Sequence, residues 1–182
     1  MPYALELRQR FTPLQNRYDL IGFHNGAEQL VGYAEQKRMA LKEKITFYAN
    51  DAKTEVAFTL GARNIMELVG TYDVQAADGT VLATIRKNAA SSLFRSTYDI
   101  VTADGRQLLG QERTMWKALF RRLVDIPLFP IQFDVVDRGH VLCTVDRIMK
   151  IRDSYRVEVQ DDTFDWRVAA AIAVSVDAFM NR

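Results

Sequence analysis

Residues 168–176 read V-A-A-A-I-A-V-S-V, an apolar or small-residue run between Arg167 and Asp177. Wound as an α-helix, successive side chains turn by 100°, so nine residues cover the whole circumference and leave no polar face. A helix of that kind has to be surrounded by protein or by lipid. A bilayer crossing needs about 20 apolar residues, and this run has nine. The chain must therefore enclose the segment in its own structure. Asp161, Asp162 and Thr163 offer N-cap oxygens ahead of it, which predicts a helix from Phe164 to about Met180.

The remainder alternates apolar and polar residues with period two, the pattern of half-buried antiparallel strands. Tyr72, Val74 and Ala76 share one face against Thr71, Asp73 and Gln75. Val56, Phe58 and Leu60, and likewise Tyr155, Val157 and Val159, alternate in the same way. Asn25-Gly26, Asp78-Gly79 and Asp104-Gly105 supply the positive-φ positions that hairpin turns require, and Arg138-Gly139 is a weaker fourth. Gly22, Gly32, Gly61, Gly70 and Gly110 fit bends or bulges within strands.

These turns belong to a degenerate repeat. Y-D-V-Q-A-A-D-G-T-V-L at 72–82 and Y-D-I-V-T-A-D-G-R-Q-L at 98–108 are its best copies, with looser ones at 18–26 and 133–139. The unit is a strand, a turn and a returning strand, so it reads as a hairpin repeated around one core. A long run of hairpins closed into a barrel has no exposed edges. A mainly β, closed antiparallel β-barrel around a central hydrophobic C-terminal helix follows. The 182 residues fit one domain over 1–182, in which one core buries roughly 70% of the unfolded surface. One further segment departs from the alternation: Trp116, Leu119, Phe120, Leu123 and Val124 form a helical stripe that ends by Ile126, before Pro127.

The sequence resembles the tubby C-terminal-like superfamily, and within it the LURP-one-related proteins, which are also similar to phospholipid scramblases. The resemblance rests on Tyr-Asp-hydrophobic plus Asp-Gly at 72–79 and 98–105, R-I-M-K-I-R-D-S-Y-R-V-E-V at 147–159, and D-W-R-V-A-A-A-I-A-V-S-V-D at 165–177. It implies a twelve-stranded antiparallel barrel filled by the carboxy-terminal helix. For function it implies less: tubby domains bind phosphoinositide head groups and scramblases act on membrane lipids, but the LURP-one-related proteins supply no biochemistry to carry over. It transfers no site, because no phosphoinositide-binding Lys/Arg set matches residue by residue. The chain also lacks the cysteine-rich stretch of the scramblases.

The residues that carry catalysis elsewhere are sparse here. His24 and His140 both sit beside turn glycines, where an exposed turn residue accounts for them without a catalytic or metal role. Cys143, the one cysteine, lies in V-L-C-T-V and reads as a small core hydrophobe, not a nucleophile. Asp161, Asp162 and Asp165 are explained by the positive end of the helix they precede, rather than by an acid pair or a hard-cation site. The sequence has no G-x-S-x-G elbow, phosphate loop or dinucleotide fingerprint. No catalytic residues, cofactor or metal are therefore assigned.

With 24 Lys and Arg against 23 Asp and Glu, the charge does not suit a nucleic-acid coat. The basic residues are nonetheless grouped. Lys37, Arg38, Lys42 and Lys44 crowd one connection, and Lys117, Arg121 and Arg122 accompany Trp116, Phe120 and Phe129 in another. Aromatic residues beside Lys and Arg suit a membrane interface, and the same composition suits a short helix plugging one barrel end with its cations solvated. Lys37, Arg38, Trp116, Lys117, Arg121 and Arg122 are the candidate contacts to a membrane or other anion. The expectation is a non-enzymatic module that binds a membrane surface, a phospholipid or phosphoinositide head group, or a protein partner. A lipid-handling enzyme with a loop-built site and a purely structural scaffold are the alternatives. One unpaired cysteine and no apolar leader point to the cytoplasm, peripheral to the membrane where the basic segments would meet it.

Overall fold

The computed structural model describes residues 3–11, 15–24, 26–37, 44–63, 70–88, 97–113, 132–148 and 154–180. Twelve strands precede one helix. They are β1 (Tyr3–Phe11), β2 (Gln15–His24), β3 (Ala27–Lys37), β4 (Lys44–Tyr48), β5 (Val56–Ala62) and β6 (Thr71–Ala76). Then follow β7 (Val81–Lys87), β8 (Thr97–Thr102), β9 (Gln107–Glu112), β10 (Gln132–Asp137), β11 (His140–Ile148) and β12 (Ser154–Val159), with α1 at Trp166–Met180. Every strand pairs antiparallel with the next, and β1 pairs with β12 from Tyr3↔Val159 to Arg8↔Ser154, which closes the barrel. The predicted stripe at 116–126 lies outside the described residues.

The period-two pattern decides what fills the barrel. Leu5 and Leu7, Phe47, Phe58 and Leu60, Val74, Ile100, Val135, Val145, and Tyr155, Val157 and Val159 all point inward and are buried. Their neighbours Arg156 and Glu158 are exposed. Val56, expected on the inner face, lies at the start of β5 and is 39% exposed. Every residue from Val168 to Ser175 is buried, and Ala169, Ala170, Ala171 and Ala173 are at 0%. The one polar member, Ser175, donates its hydroxyl to the carbonyl of Ile172 at 2.7 Å, so its burial leaves no orphaned donor. The helix lies closest to β12 and β1 and also packs on β5, β6 and β11. Trp166 at its start meets Phe58 edge-on at 5.7 Å.

The helix begins at Trp166, two residues later than expected, and its cap is Asp165. The Asp165 carboxylate accepts from the N–H of Arg167 at 2.9 Å, while its carbonyl takes the N–H groups of Val168 and Ala169. Asp161 instead ties the preceding turn, accepting from the Thr163 N–H and hydroxyl at 2.8 and 2.7 Å. That turn needs its own side-chain acceptor because its backbone has left β12 and has not yet entered the helix.

The repeat is the hairpin it was read to be. Its copies are β2–β3, β6–β7, β8–β9 and β10–β11. In β6–β7 and β8–β9 the turns are identical: Gly79 donates to Ala76 at 3.0 Å and Gly105 to Thr102 at 2.9 Å, each glycine at φ near +85 (88° and 83°). This is a type I turn closed by a left-handed glycine. Between β10 and β11, Arg138 and Gly139 both have positive φ (47° and 89°) and form a two-residue type I′ turn, which shortens that copy of the repeat. Bulges interrupt the β2–β3, β4–β5, β6–β7 and β10–β11 ladders and bend the sheet toward closure. Gly110 fits the barrel interior for a steric reason. A Cβ there would stand 2.8 Å from Phe133 Cζ and 3.1 Å from Ile100 Cδ1.

Outward faces carry ion pairs, and the interior is predominantly apolar, with Glu112 buried at the end of β9. A membrane-spanning barrel has the opposite arrangement, with an apolar outer band and a polar lumen. Among the described residues, no helix is long and apolar enough to cross a membrane.

Candidate binding surfaces

The Tyr-Asp repeat has a second function beyond the hairpin. At three joints the residue just past an odd-numbered strand still pairs with the next strand: Arg63 N–H with Thr71 O at 2.8 Å, Asn88 with Thr97 at 2.9 Å, and Arg113 with Gln132 at 2.8 Å. Two residues further on, the repeat places its Asp within reach of that same side chain. Arg63 Nε donates to Asp73 at 2.8 Å, Asn88 Nδ2 to Asp99 at 3.2 Å, and Arg113 Nε to Asp134 at 3.0 Å. On β1, Arg10 Nε reaches Asp19, the Asp of the earliest copy, at 2.6 Å. The aromatic residue points in and its Asp points out to a donor. Burial pushes the Asp73 carboxyl up, but the hydrogen bonds from Arg63 and from Thr84 (2.8 Å) outweigh it and hold the group below the usual range.

Topology divides the connections between two ends. The hairpin turns at 26, 77–80, 103–106 and 138–139, the 49–55 link and the 160–165 entry to α1 lie at what we call the turn end. Every odd-to-even connection bridges strand ends at the other, the loop end. The strand ends flanking both basic segments are at the loop end. In barrel order the β3–β4 joint lies half a circumference from the β9–β10 joint. Lys37 closes β3 and Lys44 opens β4, where it is exposed. Arg38, Lys42, Trp116, Lys117, Phe120, Arg121, Arg122 and Phe129 lie outside the described residues.

Charge follows this division. Connections at the loop end (12–14, 38–43, 63–70, 88–96, 113–131 and 149–153) contain ten Lys or Arg against four Asp or Glu. Those at the turn end (25–26, 49–55, 77–80, 103–106, 138–139 and 160–165) contain three against seven. In a chain whose formal net charge is +1, the connections that join strand ends at the loop end are thus rich in Lys and Arg, and those at the turn end rich in Asp and Glu. At the turn end, carboxylates are held ionised by local donors. Hydrogen bonds from Thr163 keep Asp161 below its ordinary range, and the Thr80 N–H does the same for Asp78.

A third feature was not read from the sequence. On the outer wall over β6–β10 runs an open groove of about 1140 Å³. Its floor includes Val101, Leu109 and Val136, and its margins carry Arg63, Arg86 and Arg138. Val101 and Leu109 are 44% and 36% exposed. The alternation marked these positions as outward, but which of them are neighbours depends on strand register. Leu109 faces Asp99 on one side and Val136 on the other.

Among the described residues, no acid–base or nucleophilic constellation gathers around His140 or Cys143. His140 is exposed beside Gly139, and His24 closes β2. Cys143 is fully buried, and burial pushes its thiol well above the ordinary range, so it is a core residue. Among the described residues no three His, Cys, Asp or Glu are gathered where they could hold a metal ion.

A family model described as LURP-one-related matches residues 31–177, from within β3 into α1. No curated protein matches the chain.

Proposed function

The chain belongs to the LURP-one-related family and has the tubby-like architecture of a helix-filled β-barrel, and from that premise we propose that it is a non-enzymatic module that docks on anionic membrane surfaces through its loop end. The observation that carries this reading is the division of charge between the connections that leave the two ends. An anionic surface attracts the loop end and repels the turn end, so the protein meets it in one orientation. Each Lys or Arg brought near such a surface contributes about 1 kcal/mol. The six residues Lys37, Arg38, Trp116, Lys117, Arg121 and Arg122 supply the contacts, with Trp116 at the level of the head groups.

Sedimentation with neutral and with anionic phospholipid vesicles at two salt concentrations tests the proposal. Binding to the anionic vesicles that weakens as salt rises is expected. Replacing Lys117, Arg121 and Arg122 together by Gln removes about 3 kcal/mol by the same per-charge figure, roughly a 150-fold loss at low salt, with an unchanged melting temperature. Failure of the parent protein to bind would reject the membrane reading. Full binding by the triple variant would reject this segment as its site.

A further inference from the structure

The described residues that line the wall groove are not those of the proposed loop-end contacts, and their chemistry is different. Across the described surface, arginines are held by carboxylates: Arg8 by Glu6 and Glu28, Arg10 by Asp19, Arg63 by Asp73, Arg113 by Asp134 and Asp146, and Arg167 by Asp165. Two of the exceptions, Arg86 and Arg138, lie in the groove; Arg156 on β12 is another, outside it. Arg86 has no partner among the described residues, although Asp99 is its cross-strand neighbour. Asp99 is taken by Asn88. Arg138 is 94% exposed and comes only within 4.0 Å of Asp137. Between these two cations, past Asp99, lie the exposed Leu109 and the half-buried Val136, with the exposed Val101 beside them.

From this juxtaposition we infer that the groove is a docking site for an extended acidic segment of a partner protein, with two carboxylates about four to five residues apart and aliphatic residues between them. The spacing follows from the barrel wall. Val136 stands in register with Arg86 three inter-strand steps of about 4.8 Å away, and Arg138 lies two residues further along, so the two cations are roughly 16 Å apart. An extended chain advances about 3.3 Å per residue, so roughly four to five residues separate side chains that meet the two cations. The aliphatic positions cover Leu109 and Val136. The closed barrel offers no free strand edge, so a segment binds here through side chains and not by adding a strand. A flat bilayer does not fill a concave side wall. Among the described residues the lining contains no aromatic ring, the stacking platform that single-stranded nucleic acid uses.

The test uses fluorescein-labelled peptides of nine residues bearing two aspartates separated by one to six positions, with leucine between them, and reads anisotropy against the full chain. The expected result is an optimum at a spacing of about four to five. Arg86→Gln and Arg138→Gln should each weaken that peptide about tenfold, the loss of one charge-assisted hydrogen bond. Exchanging the charges, Arg86→Glu with one peptide Asp replaced by Lys, should restore binding. Both arginines are on the surface, so the variants should fold, which circular dichroism verifies. Binding by no peptide, affinity independent of spacing, or unchanged affinity in both variants would overturn the inference. Loss of anionic-vesicle sedimentation in the Arg86→Gln, Arg138→Gln double variant would assign the groove to lipid instead. A concentration-dependent dimer abolished by the same pair would assign it to a second copy of the chain. Either outcome also overturns the inference, and neither depends on the loop-end segment at 116–122.

Discussion

Enlarging or polarising the central helix tests the step that organises the whole structure. Set at 100° intervals, the eight buried residues from Val168 to Ser175 leave no angular gap wider than about 60°, and each is at 4% exposure or less. Ala169, Ala170, Ala171 and Ala173 lie at about 0°, 100°, 200° and 40° on that wheel, so the barrel wall approaches them from well-separated directions. Ala170→Leu should cost about 1–3 kcal/mol through overpacking. Ala170→Gly should cost about 2 kcal/mol, from one lost buried methyl (about 0.8) and the helix penalty of glycine (about 1). At roughly 2–4 °C per kcal/mol for a chain of this size, the glycine variant should melt about 4–8 °C lower. Ala170→Asp should prevent folding, since a buried carboxylate there would have neither water nor a cation. The assay is a scan of Gly, Leu and Asp across residues 168–175, read by soluble yield and melting temperature. A contiguous set of positions at i, i+3, i+4 that accepts Asp would mean that one face of the helix meets water, and the enclosed-helix reasoning would fail.

Other expectations follow from the wall and the core. Replacing Arg113 by Met should leave Asp134 and Asp146 without their shared cation, lowering stability by about 1 kcal/mol and the melting temperature by a few degrees at low salt; thermal melts at two ionic strengths read this, and no change at low salt would show that the triad contributes nothing. Burial, with the charge of Glu112, pushes the Tyr98 hydroxyl up to about 12 from its ordinary 10. Its contribution is then fully present below pH 10 and is lost as pH rises toward 12, about 2–3 kcal/mol by the upper limit. Urea titrations should show a shallower alkaline loss in Tyr98→Phe than in the parent, and identical slopes would refute it. The buried Cys143 thiol should react with a small thiol reagent only at the rate of global unfolding; rapid labelling of the native protein would contradict its place in the core.

The strand alternation, the Asp-Gly turns and the all-round apolar segment were each legible because they are local. Period two assigns a face to each residue without reference to any partner, and a nine-residue apolar circumference excludes a surface helix by itself. The Tyr-Asp repeat was visible as a pattern, but the reason for its Asp was not. That reason is a donor on or just past the preceding strand, 9 to 21 residues earlier in the chain in the pairs Arg10–Asp19, Arg63–Asp73, Asn88–Asp99 and Arg113–Asp134. Which residue caps the helix was also misassigned from sequence, since Asp161 and Asp165 have the same chemistry and only the backbone path separates their tasks. The basic segments were read one at a time. That they leave from one end, opposite an acidic one, depends on strand parity and barrel closure. The groove lies further still from sequence reasoning, because Leu109 and Val136 are separated by 27 positions and become neighbours only through the β9–β10 register. Local sequence determines which side of the wall each residue faces, through the pleat. The pairing of strands decides which outward residues meet, because hydrogen-bond register, and no property of the residues alone, brings distant positions side by side.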